Sequence, residues 1–176
     1  NKCIWPLFHY FKQHFQFNEQ QWISYVKVNQ KFADSILEEI DEGDQVWIHD
    51  YQLLLVPEMV KSVRNDVTIG FFLHIPFPSF EIFRIFPKRE ELLKGMLGAD
   101  LIGFHTYDYE RHFLSSIKRI LHLNVNFNVI QQADREIVVN TFPMGIDFEK
   151  FENIALIHSK SKKETFSPLR IKLEKH

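Results

Sequence analysis

VTIGFFLH, residues 67–74, is a nearly continuous apolar run that closes on a histidine. A strand with one wet face alternates apolar and polar residues; this run scarcely does, which predicts a parallel strand covered on both faces. Pro76 and Pro78 end it, because proline has no N–H to give a sheet ladder. On its N-terminal side, QVWIH (45–49) reads as a second short buried strand. Before that, Trp22, Tyr25, Val26, Asn29, Phe32, Ala33, Ile36, Leu37 and Ile40 recur at helical spacing behind an Asn18 cap, with Gln21 three residues on as its partner. A helical pattern over 52–63 contains Pro57, which predicts a kink or a late start.

On the C-terminal side, Ser79 can cap a short helix and Pro87 can open another that ends near Gly98. DLIGFH (100–105) reads as a third buried strand, and Thr106 as the cap of a helix carrying Tyr109, Phe113 and Ile117. Residues 125–130 and 137–142 read as two further strands, joined by a polar turn around Ala133, Asp134 and Arg135. PMGID (143–147) reads as a loop. Helix alternating with strand in this way predicts the α/β class with a parallel sheet. From about Asn153 the chain turns polar, with Lys160, Lys162 and Lys163 close together, so the predicted division is a domain over 1–152 and a linker or solvated helix over 153–176.

The chain has 176 residues, enough for one compact domain, and its 45% hydrophobic and 25% charged residues are ordinary for a globular protein. A net charge of −2 supplies no basic field for nucleic acid or an anionic membrane, so neither is an expected partner. The single cysteine, Cys3, excludes an internal disulfide framework and suits a reducing compartment. No signal sequence opens the chain and no apolar run approaches the roughly 18–20 residues of a membrane span, so a cytoplasmic protein is expected. Asn1 is not a methionine and the other end is lysine-rich, so both ends read as cuts through something longer.

Open parallel sheets bind ligands beyond the carboxyl ends of their strands. Three predicted strands close there on polar residues: His49-Asp50-Tyr51, His74 and His105-Thr106. Asp50 can accept hydrogen bonds from sugar hydroxyls, or simply cap the helix that follows. His74 can face a ligand, or sit as a satisfied buried residue. Trp5 and Tyr10 belong to an aromatic segment that suits stacking on a sugar ring or packing in the core. Phosphate-loop, dinucleotide and serine-elbow motifs are absent, and the histidines show no metal-ligand spacing.

The segments LFHY (7–10), VWIHDYQLLLVPEM (46–59), IGFFLHIPFPSFEIFRIFP (69–87), LLKGMLGADLIGFHTYDYERHFLSS (92–116) and FPMGID (142–147) together resemble the trehalose-6-phosphate synthase family, closest in wording to its synthase–phosphatase members. The resemblance runs from about Trp5 to Phe151. It implies part of the N-terminal, Rossmann-like half of a GT-B glycosyltransferase. It also implies glucose transfer, with retention, from UDP-glucose as co-substrate to glucose 6-phosphate, giving trehalose 6-phosphate. Neither a cofactor nor a metal is implied, and a homo-oligomer is left open for the full-length protein. Residue by residue, Trp5, Asp50 and Tyr51 match positions that hold the acceptor sugar. His74 matches the cleft histidine that contacts the donor glucose. A front-face mechanism, in which the leaving phosphate helps deprotonate the acceptor, accounts for the lack of a carboxylate pair at glycosidase spacing.

Family members also carry an opening strand and glycine-containing loop with an arginine for the acceptor phosphate, and a donor domain whose arginine and lysine hold the UDP phosphates. Neither is found in these residues, so a fragment inactive by itself is expected. Two alternatives stand beside this expectation: a sister transferase with another acceptor, such as glucosylglycerol-phosphate synthase, and a catalytically silent synthase-like subunit.

Overall fold

A computed structural model describes residues 2–161 and places the VTIGFFLH run second from one edge of a six-stranded sheet. A short helix α1 (Ile4–Phe8) precedes the long helix α2 (Glu19–Glu39), whose Asn18 cap accepts the Gln21 backbone N–H at 3.0 Å. Strand β1 (Gln45–His49) leads through a 3-10 turn (Tyr51–Leu53) to α3 (Val56–Lys61). Pro57 lies in the first turn of α3, so the helix starts late, where a missing N–H costs nothing. Strand β2 (Thr68–Leu73), helices α4 (Phe80–Phe83) and α5 (Arg89–Met96), and strand β3 (Leu101–Phe104) follow. Helix α6 (Tyr107–Ser116) runs into a π turn over Ile117–Leu121. Ser79 and Thr106 stand at helix N-cap positions, neither through a side-chain bond.

The segment 125–130, expected as one strand, is two: β4 (Asn124–Asn126) and β5 (Val129–Gln132). Phe127 adopts φ +52° at the turn, and Asn128 fastens it by exchanging bonds with Val139, its carbonyl accepting the Val139 N–H and its side chain donating to the Val139 carbonyl. The chain returns as β6 (Arg135–Thr141) after the expected turn at Ala133 and Asp134. The sheet order is β1-β2-β3-β6-β5-β4, with the first four strands parallel and the β4–β5 hairpin antiparallel at the far edge.

Moving always in one direction along the sheet, right-handed crossovers put every connecting helix on the same face. Ile48, Phe71, Ile102 and Val139 stand in register across that face and are buried, with α3 and α6 against the sheet and α2 and α5 against α3. The other face carries Trp47, Leu101 and Val138, all exposed among the described residues. The expectation that both faces are covered therefore holds for one face only.

At the amino ends of the strands, Asp100 accepts from Lys61 Nζ and Arg135 Nη2, each at 2.9 Å, and from the Ile69 N–H at 2.7 Å. The described residues fall into two compact units that divide between Pro143 and Met144. In the second, Asp147 opens α7 (Phe148–Ser161), its carboxylate accepting the Lys150 N–H. Lys162 and Lys163 lie outside the described residues.

Candidate active site

β1 and β2 end side by side, so their last residues meet. The register pairs His49 with Phe72, one residue before Asp50 and two before His74. The Asp50 N–H extends the ladder to the Phe72 carbonyl at 2.8 Å, and then the chain turns sharply: Asp50 adopts φ +70°, ψ 171°. That turn points its carboxylate back across the strand ends, where Oδ1 accepts the His74 backbone N–H at 3.2 Å. Asp50 thus makes no side-chain helix cap, and His74 is exposed rather than buried.

The His74 ring lies among aromatic rings. Phe72 is 4.8 Å away between centroids, His49 5.2 Å and His105 5.4 Å, and His49 Nδ1 sits 3.0 Å from His74 Nε2. Gly103 makes this row possible. A Cβ there would lie 2.6 Å from the Phe72 ring, so glycine in β3 leaves room for that ring, which is tilted 48° to His74 and edge-on to His105.

Helix α2 holds the turn after Asp50 from behind. Tyr25 Oη donates to the Tyr51 carbonyl at 2.8 Å and accepts the Leu54 N–H at 3.1 Å. Asn29, fully buried, donates to the Gln52 carbonyl at 3.0 Å and accepts the Leu55 N–H at 3.1 Å. Burial pushes the Tyr25 phenol far above its ordinary value, so it stays a neutral donor. Neither residue was singled out as functional from sequence; the one legible signal was a polar Asn29 on the apolar stripe of α2.

The remaining predicted residues reach the site less directly. Trp5 is 39% exposed on α1 and stacks on His9 at 4.0 Å. Its segment is tied to the loop beyond His74 by Tyr10, whose hydroxyl accepts the Ser79 N–H at 2.8 Å, and by Phe8 packed edge-on against Phe77. Tyr51 lines a hollow of about 440 Å³ with Cys3, Trp22 and Tyr25, which neither Asp50 nor His74 lines. The structure therefore joins Asp50 to His74 directly, ties the segment of Trp5 to the loop beyond His74 through Tyr10, and leaves Tyr51 in a separate hollow.

The sequence profile described as glycosyltransferase family 20 matches residues 1–175. The chain belongs to glycosyltransferase family 20. Within it, the chain is 49% identical over 158 residues to a UDP-forming α,α-trehalose-phosphate synthase of Pichia angusta, covering 87% of this chain and 33% of that one. Two solved structures superpose well. The N-terminal domain of Candida albicans trehalose-6-phosphate phosphatase matches with a TM-score of 0.77 at 40% identity, over 98% of this chain and 36% of that one. A Burkholderia xenovorans α,α-trehalose-phosphate synthase in complex with glucose-6-phosphate matches with a TM-score of 0.83 at 27% identity, over 92% and 36%. The chain spans about a third of the length of the curated family 20 relatives it matches.

Proposed function

We propose that this chain is the acceptor-side portion of a UDP-forming trehalose-phosphate synthase, transferring glucose from UDP-glucose to glucose 6-phosphate. The observation that carries the reading is the Asp50–His74 pair at the joined ends of β1 and β2, in a chain 49% identical to a synthase of that name. With Oδ1 held by the His74 amide, Asp50 Oδ2 is the oxygen left to accept an acceptor hydroxyl. His74 presents its ring on the donor side, where charge develops as the sugar–phosphate bond breaks. The family resemblance adds Trp5 and Tyr51 as acceptor-side residues, Tyr51 from the separate hollow that it lines beside Tyr25. In this reading residues 1–152 form the acceptor-side domain and 153–176 lead away from it. No described helix is long and apolar enough to cross a membrane, and the chemistry of sugar phosphates supports a cytosolic setting.

The test is kinetic, in the longer protein that carries this segment. His74→Ala is expected to lower kcat roughly a hundredfold or more while leaving the KM for glucose 6-phosphate nearly unchanged, because the interaction it removes strengthens only in the transition state. Asp50→Ala is expected to lower kcat and raise that KM, because its hydrogen bonds act before and during attack. Turnover of His74→Ala within about twofold of wild type would return the histidine to a structural role. A second reading, a synthase-like domain carried by a phosphatase chain, is favoured by the 40% identity to the Candida albicans domain. It predicts no UDP release from the wild-type protein in the same assay.

A further inference from the structure

The backbone and the ring of His74 are held by different residues. Asp50 Oδ1 takes the backbone N–H, and His49 Nδ1 meets ring Nε2 at 3.0 Å, with the two rings 25° from parallel. Two nitrogens at that distance share one proton, so one ring donates and the other accepts. Nε2 of His74 is thereby committed, and Nδ1 is the ring nitrogen left for a ligand.

His49 is in turn placed by the sheet. It stands opposite Phe72 in register, so its side chain shares a face with Phe72 and, two residues on, with His74. The Trp47 ring, 4.9 Å away, backs it on the same strand. Both histidines are exposed, so their mutual bond adds little to stability. Its consequence is orientation.

We propose that His49 is a positioning residue that sets the ring plane and tautomer of His74, and so decides which nitrogen His74 turns toward the sugar substrate. This rests on the reading of His74 as a donor-side residue of the transferase. A neutral imidazole free of a partner populates both tautomers, and only one of them offers the required donor or acceptor at Nδ1. Holding one tautomer in advance removes that reorganisation from the reaction.

The test has a spectroscopic and a kinetic arm. With ring-15N histidine in this chain at about pH 8, above the ordinary imidazole range, two-bond proton–nitrogen spectra are expected to show His74 in a single tautomer. His49→Phe keeps the ring and removes the nitrogen, and is expected to give both tautomers. His49→Asn puts an amide atom near the place of Nδ1 and is expected to restore one. In the longer synthase, His49→Phe is expected to lower kcat about tenfold with the acceptor KM within about twofold. His49→Asn should recover most of that loss, and His49→Phe should have no further effect in a His74→Ala background. A His74 tautomer ratio unaltered by His49→Phe overturns the proposal. Unchanged turnover in His74→Ala overturns the functional reading instead, and the spectra still decide whether His49 positions the ring.

Discussion

Asp50 occupies a backbone region, φ +70° with ψ 171°, that is ordinarily left to glycine. Three hydrogen bonds impose it: its N–H to Phe72, its carbonyl from Leu53, and its carboxylate from His74. Asp50→Gly and Asp50→Ala lose the same carboxylate, so comparing them isolates the strain. The glycine variant is expected to be more stable than the alanine variant by about 1 kcal/mol, against their usual ranking, as read from urea midpoints. A more stable alanine variant would show that the turn is unstrained. Asp100 offers a pH test. Burial opposes its ionisation, but the Ile69 amide, Lys61 and Arg135 outweigh that and hold its carboxyl below the ordinary range. A depressed folded-state pKa gives stability that is present above about pH 4 and is lost as pH falls through the folded value. Asp100→Asn is expected to cost about 2–3 kcal/mol at neutral pH. Urea titrations should show the gap from wild type narrowing as pH drops below about 4.

Helix α2 acts as a brace rather than a covering. Its Tyr25 and Asn29 reach the turn between β1 and α3, a stretch whose backbone groups have few partners of their own. Asn29→Ala strands the Leu55 amide and the Gln52 carbonyl, and is expected to cost about 2–3 kcal/mol. Amide exchange at Leu55 should quicken with it. Unchanged exchange there would mean that the turn is held by something other than α2. The close packing of α3 against the turn after α5 has a similar basis. A Cβ at Gly98 would collide with the backbone of Pro57 and Glu58, so glycine alone lets the two backbones touch.

Across the whole molecule, stability rests on one layered interface. Ile48 and Trp47 are neighbours on β1 yet lie on opposite faces, 3% and 71% exposed. Ile48→Ala is expected to destabilise by about 2–4 kcal/mol, and Trp47→Ala by less than about 1 kcal/mol despite its larger side chain. Equal losses in thermal unfolding would show that something covers the Trp47 face.

The helices, the parallel strands and the polar residues that close those strands were legible in the sequence because they depend on local pattern: apolar runs and helical spacing. Asp50 and His74 could be named because each ends its own strand, and the family resemblance assigned them to a sugar site. Residue patterns could not choose between a helix cap and a ligand contact for Asp50, or between core and cleft for His74. Register is what excludes a side-chain cap for Asp50 and a buried ring for His74. Pairing β1 with β2 so that His49 faces Phe72 is what brings Asp50 Oδ1 to the His74 amide and His49 to the His74 ring. The brace from α2 and the division of 125–130 into a hairpin were likewise settled only in three dimensions. Each rests on hydrogen bonds between residues far enough apart in sequence that no local pattern records them.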